Sequence, residues 1–116
     1  IAILQETHLT KEEGVRLKRR WRGQLYNTTF SAFARGVLIW IGPLVPFTLD
    51  FQKVDPEGCY VFIQGSLDGA PLSILGLYAP NFGPLPFLLQ LEHMVEAALS
   101  TPLLIGGIST VFAMYQ

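Results

Sequence analysis

Two tight turns fix most of what the middle of this chain can fold into. Asp55-Pro56-Glu57-Gly58 carries Asp, Pro and Gly at the first, second and fourth positions, the pattern of a type I turn. Asp68-Gly69 is a two-residue hairpin signal, because both central positions of such a turn need positive φ. Before the first turn, Phe47, Leu49 and Phe51 alternate with Thr48, Asp50 and Gln52, which predicts a strand with one face in the core. Cys59 to Leu67 then returns antiparallel, and Leu72 to Tyr78 completes a three-stranded meander.

The flanks are also punctuated. Ile1-Ala2-Ile3-Leu4 is a continuous apolar run, expected to be a strand buried on both faces and to end at Gln5-Glu6. Thr10-Lys11-Glu12-Glu13 has the spacing of a capping box, and a helix over Lys11–Arg20 follows. Its acids come early (Glu12, Glu13) and its bases late (Lys18, Arg19, Arg20), as the helix dipole favours. Gln24 to Phe30 is rich in Thr and aromatic residues, and Gly36 to Ile41 is an apolar run suited to a strand covered on both sides. Pro80 to Pro86 reads as a loop. Phe87, Leu91, Met94, Val95 and Ala98 recur at helical spacing, predicting a second helix over Pro86–Leu99. Leu103-Leu104-Ile105 is expected as a last buried strand, closed by Gly106-Gly107. The order β-α-β-β-β-β-β-α-β indicates an α/β chain, α+β-like in its antiparallel pairing.

Charge is sparse. Only 15% of the residues are charged, against about 25% in an ordinary soluble domain. Such a composition suits strands buried on both faces, or a piece of a larger domain; the chain does not begin with Met, and a piece or processed product is expected. Residues 1–116 are read as one partial domain. The net charge of −1 names no partner, yet six of the eight basic residues lie between Lys11 and Arg22. Cys59 is the single cysteine, so neither an intrachain disulfide nor a cysteine zinc cluster is available. That suits a reducing compartment, and an intracellular location, nuclear or cytoplasmic, is expected. The uncharged stretch from Gly69 to Leu91 contains Pro71, Pro80, Pro84 and Pro86, which argues against a spanning helix, and no membrane partner is expected.

Three strand ends carry polar or small residues where the chain leaves the sheet: Leu4-Gln5-Glu6-Thr7, Tyr78-Ala79-Pro80-Asn81 and Leu104-Ile105-Gly106-Gly107. Ligand sites in α/β sheets form at such places. Together, in this order and with Ala34-Arg35-Gly36-Val37-Leu38-Ile39-Trp40-Ile41 between the first two, they resemble the endonuclease/exonuclease/phosphatase superfamily. The nearest likeness is to the apurinic-type endonuclease domain of LINE-type retrotransposons, over most of the chain. The family domain is longer at both ends. The resemblance implies a two-sheet β-sandwich flanked by helices, here partial, and magnesium-dependent hydrolysis of DNA phosphodiesters. It implies that Glu6 is a Mg²⁺ ligand and that Tyr78 and Asn81 contact a phosphate at the catalytic site. The plain alternative is a solvated acid at a strand end and a sheet-edge tyrosine with a wet hydroxyl.

The departures from the family pattern are specific. Where the family places Asp and Asn directly after Gly-Gly, this chain has Ile108, Ser109 and Thr110, and no acid occurs from Ile108 to Gln116. The family's later Ser-Asp-His segment and its Asn before the first strand have no counterpart here. The expectation is a catalytically inactive copy. The alternatives are a non-catalytic nucleic-acid-binding remnant, working through Arg16, Lys18, Arg19, Arg20 and Arg22 beside Trp21, or a fragment without a molecular role. The plain reading of that basic run is a solvated helix face, with Leu17 and Trp21 packing on the core. His8 and His93 are each single, without a His-x-x-x-His partner, and Glu92 and Glu96 share a helix face. A truncated sandwich would expose apolar surface, so self-association is expected as well.

Overall fold

The computed structural model describes residues 1–5, 7, 9–28, 36–78, 92, 96, 101–106 and 111–115. Within them the order is β1 (Ala2–Gln5), α1 (Lys11–Arg20), β2 (Gln24–Thr28), β3 (Val37–Ile41), β4 (Phe47–Val54), β5 (Tyr60–Leu67), β6 (Ala70–Leu77), β7 (Leu103–Gly106) and β8 (Val111–Tyr115). The fold class is α+β, built on two sheets. A three-stranded antiparallel sheet has the order β1-β3-β2, and a five-stranded sheet has the order β4-β5-β6-β7-β8. The predicted second helix lies outside the described residues, apart from Glu92 and Glu96, which are helical and exposed.

The local signals work as their chemistry requires. Thr10 Oγ1 accepts from the Glu13 amide at 3.1 Å, and the Glu13 carboxylate accepts from the Thr10 amide at 3.3 Å, closing the capping box and setting the start of α1. In the first turn the Gly58 amide donates to the Asp55 carbonyl at 3.0 Å. Asp68 and Gly69 take φ of 51° and 83°, the left-handed pair that lets β5 turn straight into β6 with Leu67 opposite Ala70.

The two sheets bury facing rows. Ile3, Val37, Ile39 and Ile41 come from the small sheet, and Phe47, Val61, Ile63, Leu72 and Ile74 from the large one. At about 1.5–3 kcal/mol for each fully buried aliphatic side chain, this interface is the main attractive term of the fold. Two glycines let the sheets close up. A Cβ on Gly76 would sit 2.9 Å from Val37 and 3.0 Å from Ile3, and one on Gly106 would sit 2.5 Å from Ile3. Gly76 and Gly106 are register partners on the parallel pair β6–β7, so they make one hollow that receives the Ile3 side chain.

Three features differ from the sequence expectations. Among the described residues β1 is an edge strand, and while Ile3 is buried, Leu4 stays 43% exposed, so the two faces of this strand are covered unequally. The alternation of Phe47, Leu49 and Phe51 breaks at a β-bulge: Leu49 pairs with Gly65 and Phe51 with Gln64, leaving Asp50 as the extra residue. Phe51 therefore turns to the other face, where it is half exposed and packs edge-on against Phe62 with ring centroids 6.4 Å apart. Finally, the sheet does not stop at β7, since β8 pairs antiparallel beyond it. No helix among the described residues is long and apolar enough to cross a membrane.

Candidate functional site at the strand ends

Strand termini from both sheets meet at one end of the sandwich, held by backbone hydrogen bonds. The Thr7 amide, just past β1, donates to the Gly36 carbonyl at 3.3 Å, before β3 begins. The Gly36 amide donates to the Gly58 carbonyl at 3.1 Å, which ties the small sheet to the turn between β4 and β5. The Tyr78 amide, just past β6, donates to the Cys59 carbonyl at 2.7 Å. β7 runs parallel to β6 and finishes level with it, Gly106 opposite Gly76. The strands that carry the Leu-Gln-Glu-Thr, Tyr-Ala-Pro-Asn and Leu-Leu-Ile-Gly-Gly segments thus end on the same side.

Of the residues singled out in the sequence, Tyr78 is described here. It is half buried and packs against the inter-sheet core. Glu6, Asn81 and His8 lie outside the described residues, as do Ile108 and Thr110. Thr7 was not singled out, although it closes the Leu-Gln-Glu-Thr segment. Its Oγ1 is buried without a hydrogen-bond partner among the described residues.

Asp55 shows how the floor of this end is fixed. One carboxylate oxygen accepts from the Glu57 amide at 3.1 Å and the other from the Cys59 amide at 3.0 Å. The Thr28 hydroxyl donates to the Asp55 carbonyl, anchoring the end of β2 to the same turn. Asp55 is committed to holding the turn. Magnesium favours one or two carboxylates together with water and substrate oxygens. Among the described residues no three His, Cys, Asp or Glu side chains group to hold a metal. At the strand ends they include Thr7, Tyr78 and the Asp55 carboxylate already bound to two amides. Glu6, the carboxylate that the resemblance assigns to the metal, is not among them.

The Asp55 charge also acts on Tyr60. Burial raises the Tyr60 phenol above its ordinary value of 10.0, and the Asp55 carboxylate adds to the rise. Burial raises Tyr26 in the same direction. The folded protein therefore keeps these phenolic protons at a pH where the unfolded chain has released them. Stability is full below about pH 10 and falls as pH climbs from there through the folded values. We expect Tyr60→Phe to flatten this alkaline loss in denaturant titrations between about pH 9 and pH 11, and to leave the acid side unchanged.

The basic segment is arranged differently from a single patch at this site. Arg16, Lys18, Arg19, Arg20 and Arg22 are all exposed. Lys11 and Lys18 line a cavity of about 450 Å³ with Asn27, Thr28 and Pro56, towards the strand-end side. Arg20 and Arg22 sit instead beside Ala2 and Trp40, at the opposite end of the small sheet. Leu17 is half buried, and Trp21 packs against Trp40 rather than in the inter-sheet core.

No family model matches the chain.

Proposed function

We propose that this chain is a degenerate sandwich of the endonuclease/exonuclease/phosphatase type, similar to the endonuclease domain of LINE-type retrotransposons. It holds a DNA phosphate at the strand ends and does not cleave it. In this reading Tyr78 donates its hydroxyl to a phosphate oxygen, Asn81 contacts the same group, and Glu6 is a relic of a metal site. The observation that supports the reading is the meeting of the ends of β1, β6 and β7 around a backbone-tied floor. Hydrolysis is excluded from the proposal because the positions after Gly106-Gly107 are Ile108 and Thr110 in place of Asp and Asn. An isoleucine has no atom that takes a proton, and a threonine hydroxyl is a poor base.

The test is a titration of the isotope-labelled protein with a short DNA duplex, followed by amide chemical shifts. The amides of Thr7, Gly36, Gly58 and Tyr78 are expected to move first, and Tyr78→Phe to weaken binding about tenfold, as losing a hydrogen bond to a charged group does. Shifts confined to α1, with Tyr78→Phe indistinguishable from the parent, would remove the strand ends as a phosphate site.

A further inference from the structure

On the outer face of the small sheet, away from the strand ends, an open cavity of about 490 Å³ is lined by Ala2, Leu4, Arg20, Trp21, Arg22 and Trp40. Its size falls within the usual range for small-ligand sites, about 300–1,000 Å³. Its position follows from the register. Ala2 and Leu25 flank Trp40 on either side in the sheet, while the strand ends begin at Val37 and Gly36. At about 3.3 Å per residue, four positions of β3 separate the two places by more than 10 Å.

The aromatic pair is held in place. The Trp40 indole N–H donates to the Arg22 carbonyl at 2.8 Å, which pins the chain leaving α1 over β3. Trp21 meets Trp40 edge to face, with centroids 6.1 Å apart and planes at 78°. A T-shaped pair uses one of its four ring faces, so open indole face remains, and Trp21 is 39% exposed. Leu4, 43% exposed, continues the apolar floor. On both sides of Trp21 stand arginines whose side chains form no ion pair among the described residues. Glu12 and Glu13, the acids of α1, sit in its first turn, away from this end.

We infer that this cavity is a stacking site for single-stranded nucleic acid. A base lies on the Trp21 face, and the guanidiniums of Arg20 and Arg22 take the phosphates on either side of it. The combination identifies the ligand class. Flat, exposed indole accepts any base by its π-face, and the arginine fork fits phosphate oxygens bidentately. A purely apolar partner would leave two unpaired guanidiniums at its rim. The site stands apart from the strand-end reading and does not need it.

The experiment uses the whole chain with a labelled twelve-residue oligothymidylate, followed by anisotropy and by quenching of tryptophan emission. Binding with quenching is expected. Trp21→Ala should weaken it about tenfold or more, and Trp21→Phe, which keeps an aromatic face, by less than about threefold. Arg20→Gln with Arg22→Gln should lower the slope of log affinity against log salt by about 0.7 for each phosphate contact removed. Tyr78→Phe should leave oligothymidylate binding unchanged, which separates this site from the strand ends. Three results would each overturn the inference. One is equal binding of an abasic strand of the same length. Another is equal binding by parent and Trp21→Ala. The third is binding of phosphatidylserine vesicles without binding of the oligonucleotide, which would make the face a lipid-surface site.

Discussion

Gly106→Ala is expected to destabilise the protein by about 3 kcal/mol, near the upper end of ordinary overpacking and a large share of a total of about 5–15 kcal/mol. The added Cβ would stand 2.5 Å from Ile3 Cδ1, 2.8 Å from Ile3 Cβ and 2.9 Å from Ile3 Cγ2. One of these atoms is a side-chain tip that can rotate away. Cβ cannot move without its backbone, and β1 is tied along its length to β3, Ile3 opposite Ile39. The strain would therefore push the small sheet off the large one at the place where β1, β6 and β7 end. Thermal unfolding should fall by about 10 °C or more. Ile3→Ala alone should cost about 2–5 kcal/mol through the cavity it leaves. Combined with Gly106→Ala, the two should cost less than their sum by about 1 kcal/mol or more, because each relieves what the other creates. Additive losses in urea titrations would mean that the two residues do not share one hollow.

The elements that were legible in the sequence are those whose cause is local. The capping box at Thr10 and Glu13, the turn at Asp55 and the left-handed pair at Asp68-Gly69 each need nothing beyond four or five neighbouring residues, and α1 begins and ends where its caps put it. The bulge at Asp50 was not legible, because its cause lies across the sheet. Gly65, on β5, has no side chain, and the Thr48 carbonyl packs into the space a Cβ would fill. That close approach lets β4 gain a residue and turn Phe51 outward. Likewise, nothing in Ile1-Ala2-Ile3-Leu4 says that β1 will be an edge strand. Ile3 and Leu4 are neighbours on opposite faces, and the exposure of Leu4 is decided by what packs over its face of the sheet. The Gly106-Gly107 pair reads locally as a stop, yet β8 returns to pair with β7, a long-range event without a local mark.

The candidate site was legible as three strand ends, because apolar runs giving way to polar residues are visible one at a time. Their meeting at one end depends on the Thr7–Gly36–Gly58 and Cys59–Tyr78 backbone bonds, which no spacing predicts. Thr7 carries no local mark in the sequence, because the burial of its hydroxyl without a partner among the described residues is decided by the fold around it. The basic run was legible as charge, whereas its division between two ends of the small sheet comes from the length and path of α1. Trp40 gave no signal beyond an apolar strand residue; only its packing on Trp21 made it part of a cavity.

Catalysis is the second place where a large effect is expected. Phosphodiester hydrolysis needs an oriented attacking water, stabilisation of the charge that builds on the phosphorus oxygens, and help for the leaving group. Tyr78 and Asn81 would supply hydrogen bonds to the phosphate. Nothing at Ile108 or Thr110 orients or deprotonates the water, and the Asp55 carboxylate is occupied by the Glu57 and Cys59 amides. A missing acid–base group alone commonly costs about 10²–10⁴ in rate. Two such losses in one site act as a unit rather than multiplying, and one is enough to bring turnover below routine detection. The most direct measurement is nicking of supercoiled plasmid by the unmodified 116-residue chain in magnesium, beside Glu6→Gln. No magnesium-dependent nicking by the parent above that variant is expected. Robust nicking by the parent, abolished in Glu6→Gln, would contradict it and require another acid to complete the site.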